Sequence, residues 1–309
     1  PSVGDLAGNA ALISKYAIDA HAASADVVVF PEMVLTGYPV EDLAMRASFR
    51  SASKNALAQL VSTLEPSIVS VVGYLDESAT GAPQNRVAIV HGSKVVATYT
   101  KRHLPNYGVF DEFRNFVPGD SSLVIRVKGV DIGIAICEDI WHSLADLAAR
   151  TPGLVLVPNG SPYERNKDDV RLALVQKRAK EVGAPLAYVN MTGGQDDLVF
   201  DGDSIVVGKD GSVLARTAQF DDQLIIVDIE CVEGSSRPDV VISEEQTSHA
   251  DSAAPAVATR LSNEAEMWQA LVMGLRDYVG KNGFRSVVLG LSGGIDSALV
   301  AAIAIDALG

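Results

Sequence analysis

The stretch from Gly133 to Trp141, Gly-Ile-Ala-Ile-Cys-Glu-Asp-Ile-Trp, constrains the fold more than any other. Its apolar run has the length of a buried strand and ends abruptly in a thiol and two carboxylates. Taken alone, Cys137 reads as a small core hydrophobe, the commonest fate of a free cysteine. Two further stretches change that reading. Val27 to Phe30 is an apolar strand that runs through Pro31 into Glu32, and Val95 to Thr100 is a strand that ends in Lys101. Sites in α/β sheets form where strand C-termini meet. A thiol, a carboxylate and an amine brought there form a candidate set of nucleophile, base and oxyanion stabiliser.

The order of elements agrees with a sheet protein. Residues 9–24 are alanine-rich with helical spacing, and 43–64 repeat that spacing. Strands are expected at 26–32, 67–74, 124–127, 132–137, 154–158, 185–190 and 224–229. Hairpins are expected over 86–101 and 204–215, and helices over 144–150 and 168–182. Residues 102–120 form a long polar loop, of a kind that is more often functional than idle. Strands and helices alternate, which predicts a layered α/β sandwich over residues 1–231. Residues 232–262 are rich in Ser, Glu, Pro and Ala and read as a linker. A helix with Glu266 in a capping box is expected from Asn263, capped at its other end by Gly283. A strand follows at 286–291, and a helical run at 298–308.

Between that last strand and helix stands Ser292-Gly293-Gly294-Ile295-Asp296-Ser297. Two glycines let backbone N–H groups approach an anion, and the following helix N-terminus favours its charge. Ser292 and Ser297 add hydroxyl donors, and Asp296 is placed to hold Mg²⁺ beside phosphates. A bare Gly-Gly turn would be only a tight connection. The full string between strand and helix points to a nucleotide site binding ATP.

Composition closes off several classes. The 309 residues carry a net charge of −14, which disfavours a general nucleic-acid or anionic-membrane surface. The two cysteines, Cys137 and Cys231, are too far apart and too few for a disulfide framework or a metal-spacing pattern. The five histidines are scattered. This usage, with no signal peptide or long apolar span, fits a reducing cytoplasm. Both ends read as cut, since Pro1 stands without an initiator Met and Gly309 ends a helix-like run.

In the first domain these residues predict amide cleavage by Cys137, with Glu32 as base. Lys101 and the backbone N–H of Glu138 would hold the oxyanion. Phe30-Pro31-Glu32, Lys101 with its Leu-Pro-Asn-Tyr-Gly tail, and Ile136-Cys137-Glu138-Asp139 resemble the Glu–Lys–Cys triad of the nitrilase superfamily. Phe110-Asp111-Glu112 resembles that family's second glutamate. With Ser-Gly-Gly-Ile-Asp-Ser downstream, the chain resembles the family of glutamine-dependent NAD⁺ synthetases, of the actinobacterial kind. The resemblance implies an αββα nitrilase-like sandwich followed by a truncated Rossmann-like α/β ATP-pyrophosphatase domain over 263–309. It implies a cofactor-free glutaminase whose ammonia reaches a second domain that uses ATP and Mg²⁺ to amidate deamido-NAD. Tyr38 and Tyr107 would line the glutamine pocket, with Ser161 and Arg165 as weaker candidates. A large homo-oligomer is implied as well. The family's first strand and most of its synthetase domain are missing from this chain, so at most the glutaminase half-reaction is expected of it. The competing readings are a stand-alone carbon–nitrogen hydrolase acting on another amide, and a catalytically dead scaffold.

Overall fold

The computed structural model describes residues 1–165, 167–245 and 256–309. The part of the expected linker at 246–255, with His249, lies outside the described residues. The first helix, α1 (Leu6–Ala22), is opened by Asp5, whose carboxylate accepts a hydrogen bond from the Gly8 N–H. β1 (Val27–Val29), a short turn of helix at Glu41–Met45 and α2 (Ala47–Val61) follow. β2 (Val69–Glu77), β3 (Pro83–His91) and β4 (Lys94–Thr100) complete a sheet of order β1-β2-β3-β4. The long loop carries a four-residue helix, α3 (Glu112–Asn115).

A second sheet is built from β5 (Leu123–Val127), β6 (Val130–Ile134), β7 (Leu154–Asn159), β8 (Leu186–Asn190), β11 (Ile205–Val207), β12 (Val213–Arg216) and β13 (Val240–Val241), with α4 (Ala145–Ala148) and α5 (Lys167–Val182) between β6 and β8. Its order is β12-β11-β8-β7-β6-β5-β13. A small hairpin, β9 (Thr192–Gln195) and β10 (Leu198–Asp201), stands apart from both sheets. Strand alternation sorts the core. Val69 and Val71 of β2 join Val87, Ile89, Ile132, Ile134 and Leu156 between the two sheets. Val72 and Tyr74, one residue out of phase, pack with Ile13, Ala17, Leu57 and Leu60 of α1 and α2. On the far side Val155 and Val157 of β7 pack with Val175, Ala179 and Val182 of α5. The result is the expected α–β–β–α sandwich.

Several expectations need correction. Cys137 does not end a strand: β6 stops at Ile134, and Cys137 opens a short turn of helix, Cys137–Trp141. Thr192 to Gln195 form β9, although Thr-Gly-Gly-Gln reads as a loop. Residues 224–229, expected as a strand, lie outside every ladder, although Ile225, Val227 and Ile229 still pack on the inter-sheet core. Inside the expected linker, β13 adds in parallel to β5, and Asp131 accepts from the Ser236 hydroxyl at 2.8 Å.

α6 (Asn263–Lys281) and α7 (Ile295–Leu308) pack through Val272, Ile303 and Ala307. The cap of α6 is Ser262, and Glu266 reaches Gln219 Nε2 at 2.8 Å instead of closing a capping box. Gly283 follows the helix at φ +70°, as a C-terminal cap requires. α6 is seated on the β9–β10 hairpin, where Asp277 Oδ2 accepts from Gly194 N at 2.7 Å. Residues 286–291 were expected as a strand but join no ladder, and Val288 is 98% exposed. A strand needs a neighbour for its N–H and C=O groups, and no described strand lies beside it.

One glycine fixes where Glu32 can stand. A Cβ on Gly73 of β2 would lie 2.3 Å from Met33 N and 2.6 Å from Pro31 O, both backbone atoms. Gly73→Ala must therefore push the Pro31–Met33 segment off the sheet, at a cost of about 1–3 kcal/mol. Urea denaturation should show a lowered midpoint, and an unchanged midpoint would contradict this close packing.

Candidate active site

Glu32 lies just past β1, Lys101 directly after β4, and Cys137 three residues past β6, so the two sheets each deliver part of one buried cluster. Glu32 Oε1 accepts from Lys101 Nζ at 2.7 Å and from Asn85 Nδ2 at 2.7 Å. Its Oε2 accepts from the Gly160 N–H at 2.9 Å. Glu112, brought in by α3, meets Lys101 Nζ through Oε2 at 2.7 Å and accepts from the Tyr38 hydroxyl through Oε1 at 2.8 Å. Glu32 and Lys101 are both fully buried. The ion pairs and hydrogen bonds thus bring Glu32, Lys101, Glu112 and Tyr38 into one network.

The electrostatics follow from one cation between two carboxylates. Burial alone would strip Lys101 of its proton, but Glu112 and Glu32 outweigh it and hold the ammonium well above the ordinary lysine range. Burial, together with the charge of Glu32, pushes Glu112 up to about 7 against the pull of Lys101. Cys137 is buried as well, and its thiol is raised well above its ordinary value, first by burial and then by Glu32, with Lys101 opposing. The sequence suggests a lysine-stabilised thiolate. That expectation is corrected here, because Lys101 is already shared by two carboxylates and burial, with the charge of Glu32, raises the thiol.

Cys137 sits at φ +43°, a left-handed conformation that costs a residue with a Cβ about 1–2 kcal/mol. That turn lifts the thiol out of the line of β6. Gly160, after β7, completes the site. A Cβ there would lie 3.1 Å from Tyr38 Cδ1 and 3.3 Å from Glu32 Oε2, a tight approach to which those side chains would have to yield. Cys231 packs at the margin of the inter-sheet core, and burial pushes its thiol up to about 11.

The remaining predicted residues separate. Glu138 follows Cys137, and its buried side chain accepts from the hydroxyl of the exposed Tyr107 at 2.8 Å. Ser161 is buried, and its hydroxyl is taken by Arg171 Nε at 3.3 Å. Arg165 is exposed on the loop after β7. Asn85, Gly160 and Arg171 escape the sequence reading. Arg171 is fully buried against Asp201 at 2.7 Å and grips the carbonyls of Ser161 and Pro162 at 2.8 and 2.7 Å, which fixes the turn that carries Gly160. A lone arginine on a helix rich in charge gives no sequence signal for this.

Ser292 to Ser297 lie elsewhere, across the start of α7, whose first three residues are Ile295, Asp296 and Ser297. Ser292 Oγ and Ser297 Oγ are 3.1 Å apart, and Gly293 takes φ +85°. This stretch is largely exposed. Among the described residues no three His, Cys, Asp or Glu side chains gather as a metal cluster, so Asp296 stands alone.

A family model described as carbon–nitrogen hydrolase matches residues 1–236, and one described as NAD synthase matches residues 267–309. The glutamine-dependent NAD(+) synthetase of Xanthomonas campestris pv. campestris (strain 8004) is 46% identical over 289 residues, covering 92% of this chain and 50% of that protein. The protein of the same name from Acinetobacter baylyi is 38% identical over 311 residues, covering 100% of this chain and 54% of that protein. This chain spans about half the length of the curated relatives it matches. The solved glutamine-dependent NAD+ synthetase from Acinetobacter baumannii, in complex with ADP, superposes with a TM-score of 0.88 at 36% identity, over 100% of this chain and 56% of that one. A variant of the amidase from Nesterenkonia sp. AN1, with the acetamide moiety of fluoroacetamide added at its active-site cysteine, superposes at 0.62 and 27% identity, over 70% and 82% of the two chains.

The raised Cys137 thiol has a measurable consequence. Its thiolate fraction is small at neutral pH and grows only as pH climbs beyond the ordinary cysteine value, about 8.5. Alkylation by iodoacetamide, mapped by peptide mass to separate Cys137 from Cys231, should keep accelerating above that pH. A plateau reached below it would mark a stabilised thiolate and contradict the charge arrangement.

Proposed function

The chain belongs to the carbon–nitrogen hydrolase family through residues 1–236, and from that premise we propose that this region is a glutaminase of the Glu–Lys–Cys type. The observation that carries the reading is the buried set of Glu32, Lys101 and Glu112 beside Cys137. Burying three ionisable groups is costly unless each is paired, and here Lys101 lies 2.7 Å from both carboxylates. Glu32 takes the thiol proton as Cys137 Sγ bonds to the carboxamide carbon. Lys101 and the backbone N–H of Glu138 stabilise the resulting oxyanion. The C–N bond breaks, the proton held by Glu32 passes to the leaving nitrogen, and ammonia departs from a thioester. Glu32 then takes a proton from water, whose oxygen attacks the thioester. Glutamate leaves, and the sulfur recovers its proton. Tyr107 and Glu138, with Arg165 on the loop after β7, are the proposed contacts to the amino-acid end of glutamine. Ser161 contributes to the same loop through its bond to Arg171.

The relatives named as glutamine-dependent NAD(+) synthetases support a second half to this reading, in which the ammonia amidates deamido-NAD with ATP. Residues 267–309, with the Ser292–Ser297 string that opens α7, are the proposed start of that ATP-binding domain. Ser292, Gly293, Gly294 and Ser297 would meet the phosphates. One carboxylate is enough for Mg²⁺ when phosphate oxygens and water supply the other ligands, so Asp296 fits that part. The ion, when bound, would neutralise the charge of the departing pyrophosphate. A homo-oligomer is proposed with this assignment.

Ammonia release from glutamine tests the first half directly. Cys137→Ala and Glu32→Gln should abolish it, and Lys101→Ala should lower the rate by about 10²–10³. Turnover within tenfold of the parent chain in any of the three would remove that residue from the mechanism. Release of ammonia from other small amides but not from glutamine would favour the plain amidase.

A further inference from the structure

Asp139 is fully buried two residues beyond the nucleophile, and the mechanism above gives it no part. Its Oδ2 accepts from the Ile136 N–H at 2.9 Å and from the Tyr99 hydroxyl at 2.7 Å. Its Oδ1 accepts from the Arg102 N–H at 3.0 Å and the His103 N–H at 2.9 Å. Ile136 immediately precedes Cys137. Tyr99, Arg102 and His103 bracket Lys101. One carboxylate therefore joins the chain on which the thiol is mounted to the chain on which the ammonium is mounted.

We propose that Asp139 is a positioning residue that sets the Cys137 thiol and the Lys101 ammonium in register, so that the tetrahedral oxyanion formed at one falls on the other. The inference rests on the amide-cleavage reading of the site. A carboxylate suits the task because it offers two acceptor oxygens and no donor, and all four groups facing it are donors. Bonds to a charged acceptor are also shorter and stronger than neutral ones. The register must be imposed from outside the reacting groups. Cys137 stands in a strained left-handed turn, and Lys101 is drawn toward Glu32 and Glu112 by its own charge. Neither holds its distance to the other unaided. A misplacement of about 1 Å between reacting groups is enough to cost about 10² in rate.

The surroundings keep a variant at this position folded. Arg102 forks onto Asp146 at 2.6 Å, and the ring of His103 stacks on that of His142 with centroids 3.9 Å apart. These ties hold the same two segments together outside the buried site. Asp139→Asn should therefore keep the fold and lose the register, because one of its two acceptors becomes an NH₂ donor facing N–H or O–H groups.

Two reagents separate register from thiol reactivity, and neither depends on glutamine being the substrate. p-Nitrophenyl acetate acylates Cys137 through an oxyanion: the S–C bond forms, nitrophenolate leaves, and the thiol proton passes to Glu32. Iodoacetamide alkylates the same sulfur by displacing iodide, with no oxyanion. The whole chain and its Asp139→Asn variant are treated with each, and modification is read at Cys137 by peptide mass alongside thermal unfolding. The acylation-to-alkylation ratio should fall by about 10²-fold in the variant while alkylation stays within about threefold. Tyr99→Phe, which removes a single donor, should lower the ratio by about tenfold or less, and it serves as the test if Asp139→Asn does not fold. An unchanged ratio in a folded variant overturns the proposal. A parallel loss of both reactions overturns it too, since it would place Asp139 behind the thiol's own reactivity. Failure of the parent chain to release ammonia from glutamine would sink the substrate assignment and leave this ratio intact.

Discussion

The structure depends on one buried ammonium held between two buried carboxylates. Lys101 pairs with Glu32 and with Glu112 at 2.7 Å each, and water reaches none of the three to any extent. In a low-dielectric interior, removing any one charge leaves the others uncompensated, at several kcal/mol. The fold is arranged to make that burial tolerable. Asn85 and the Gly160 N–H take up the remaining lone pairs of Glu32, and Tyr38 donates to Glu112. Each partner comes from a different segment, so the cluster can form only once both sheets and the long loop are in place.

The same charge balance decides how the thiol works. A cysteine beside a free lysine would be a thiolate at rest. Here the lysine is committed to two carboxylates, and Cys137 also feels the charge of Glu32. On the proposed reading the thiol needs a base at the moment of attack, and Glu32 is the proposed acceptor of its proton. Burial and the charge of Glu32 also push Glu112 up to about 7 against the pull of Lys101.

Much of this was legible in the sequence, and for identifiable reasons. The apolar runs that end in Glu32 and lead to Cys137 mark buried strands, whereas the run into Lys101, β4, is an edge strand with only Tyr99 buried. Hydrophobic periodicity reports burial directly. What periodicity cannot report is pairing. Residues 286–291 have the composition of a strand and no described neighbour, while Thr192 to Gln195 have the composition of a loop and pair with β10. Long-range partners leave no local trace either. Arg171 looks like one charge among many on α5, yet it is buried against Asp201. Asp139 looks like the second of two solvated acids, yet four donors from two segments meet it. The left-handed backbone at Cys137 is likewise unreadable, because it is imposed by the turn that ends β6 and not by the residue.

The buried cluster is proposed to carry an acyl group on Cys137. The most direct measurement is to mix the chain with glutamine, quench in acid within the first turnovers, and map the peptides by mass. A γ-glutamyl thioester is expected on Cys137, absent in Cys137→Ala and discharged when the sample is made alkaline. Ammonia released at the normal rate with no adduct on Cys137, or with the adduct elsewhere, would contradict it.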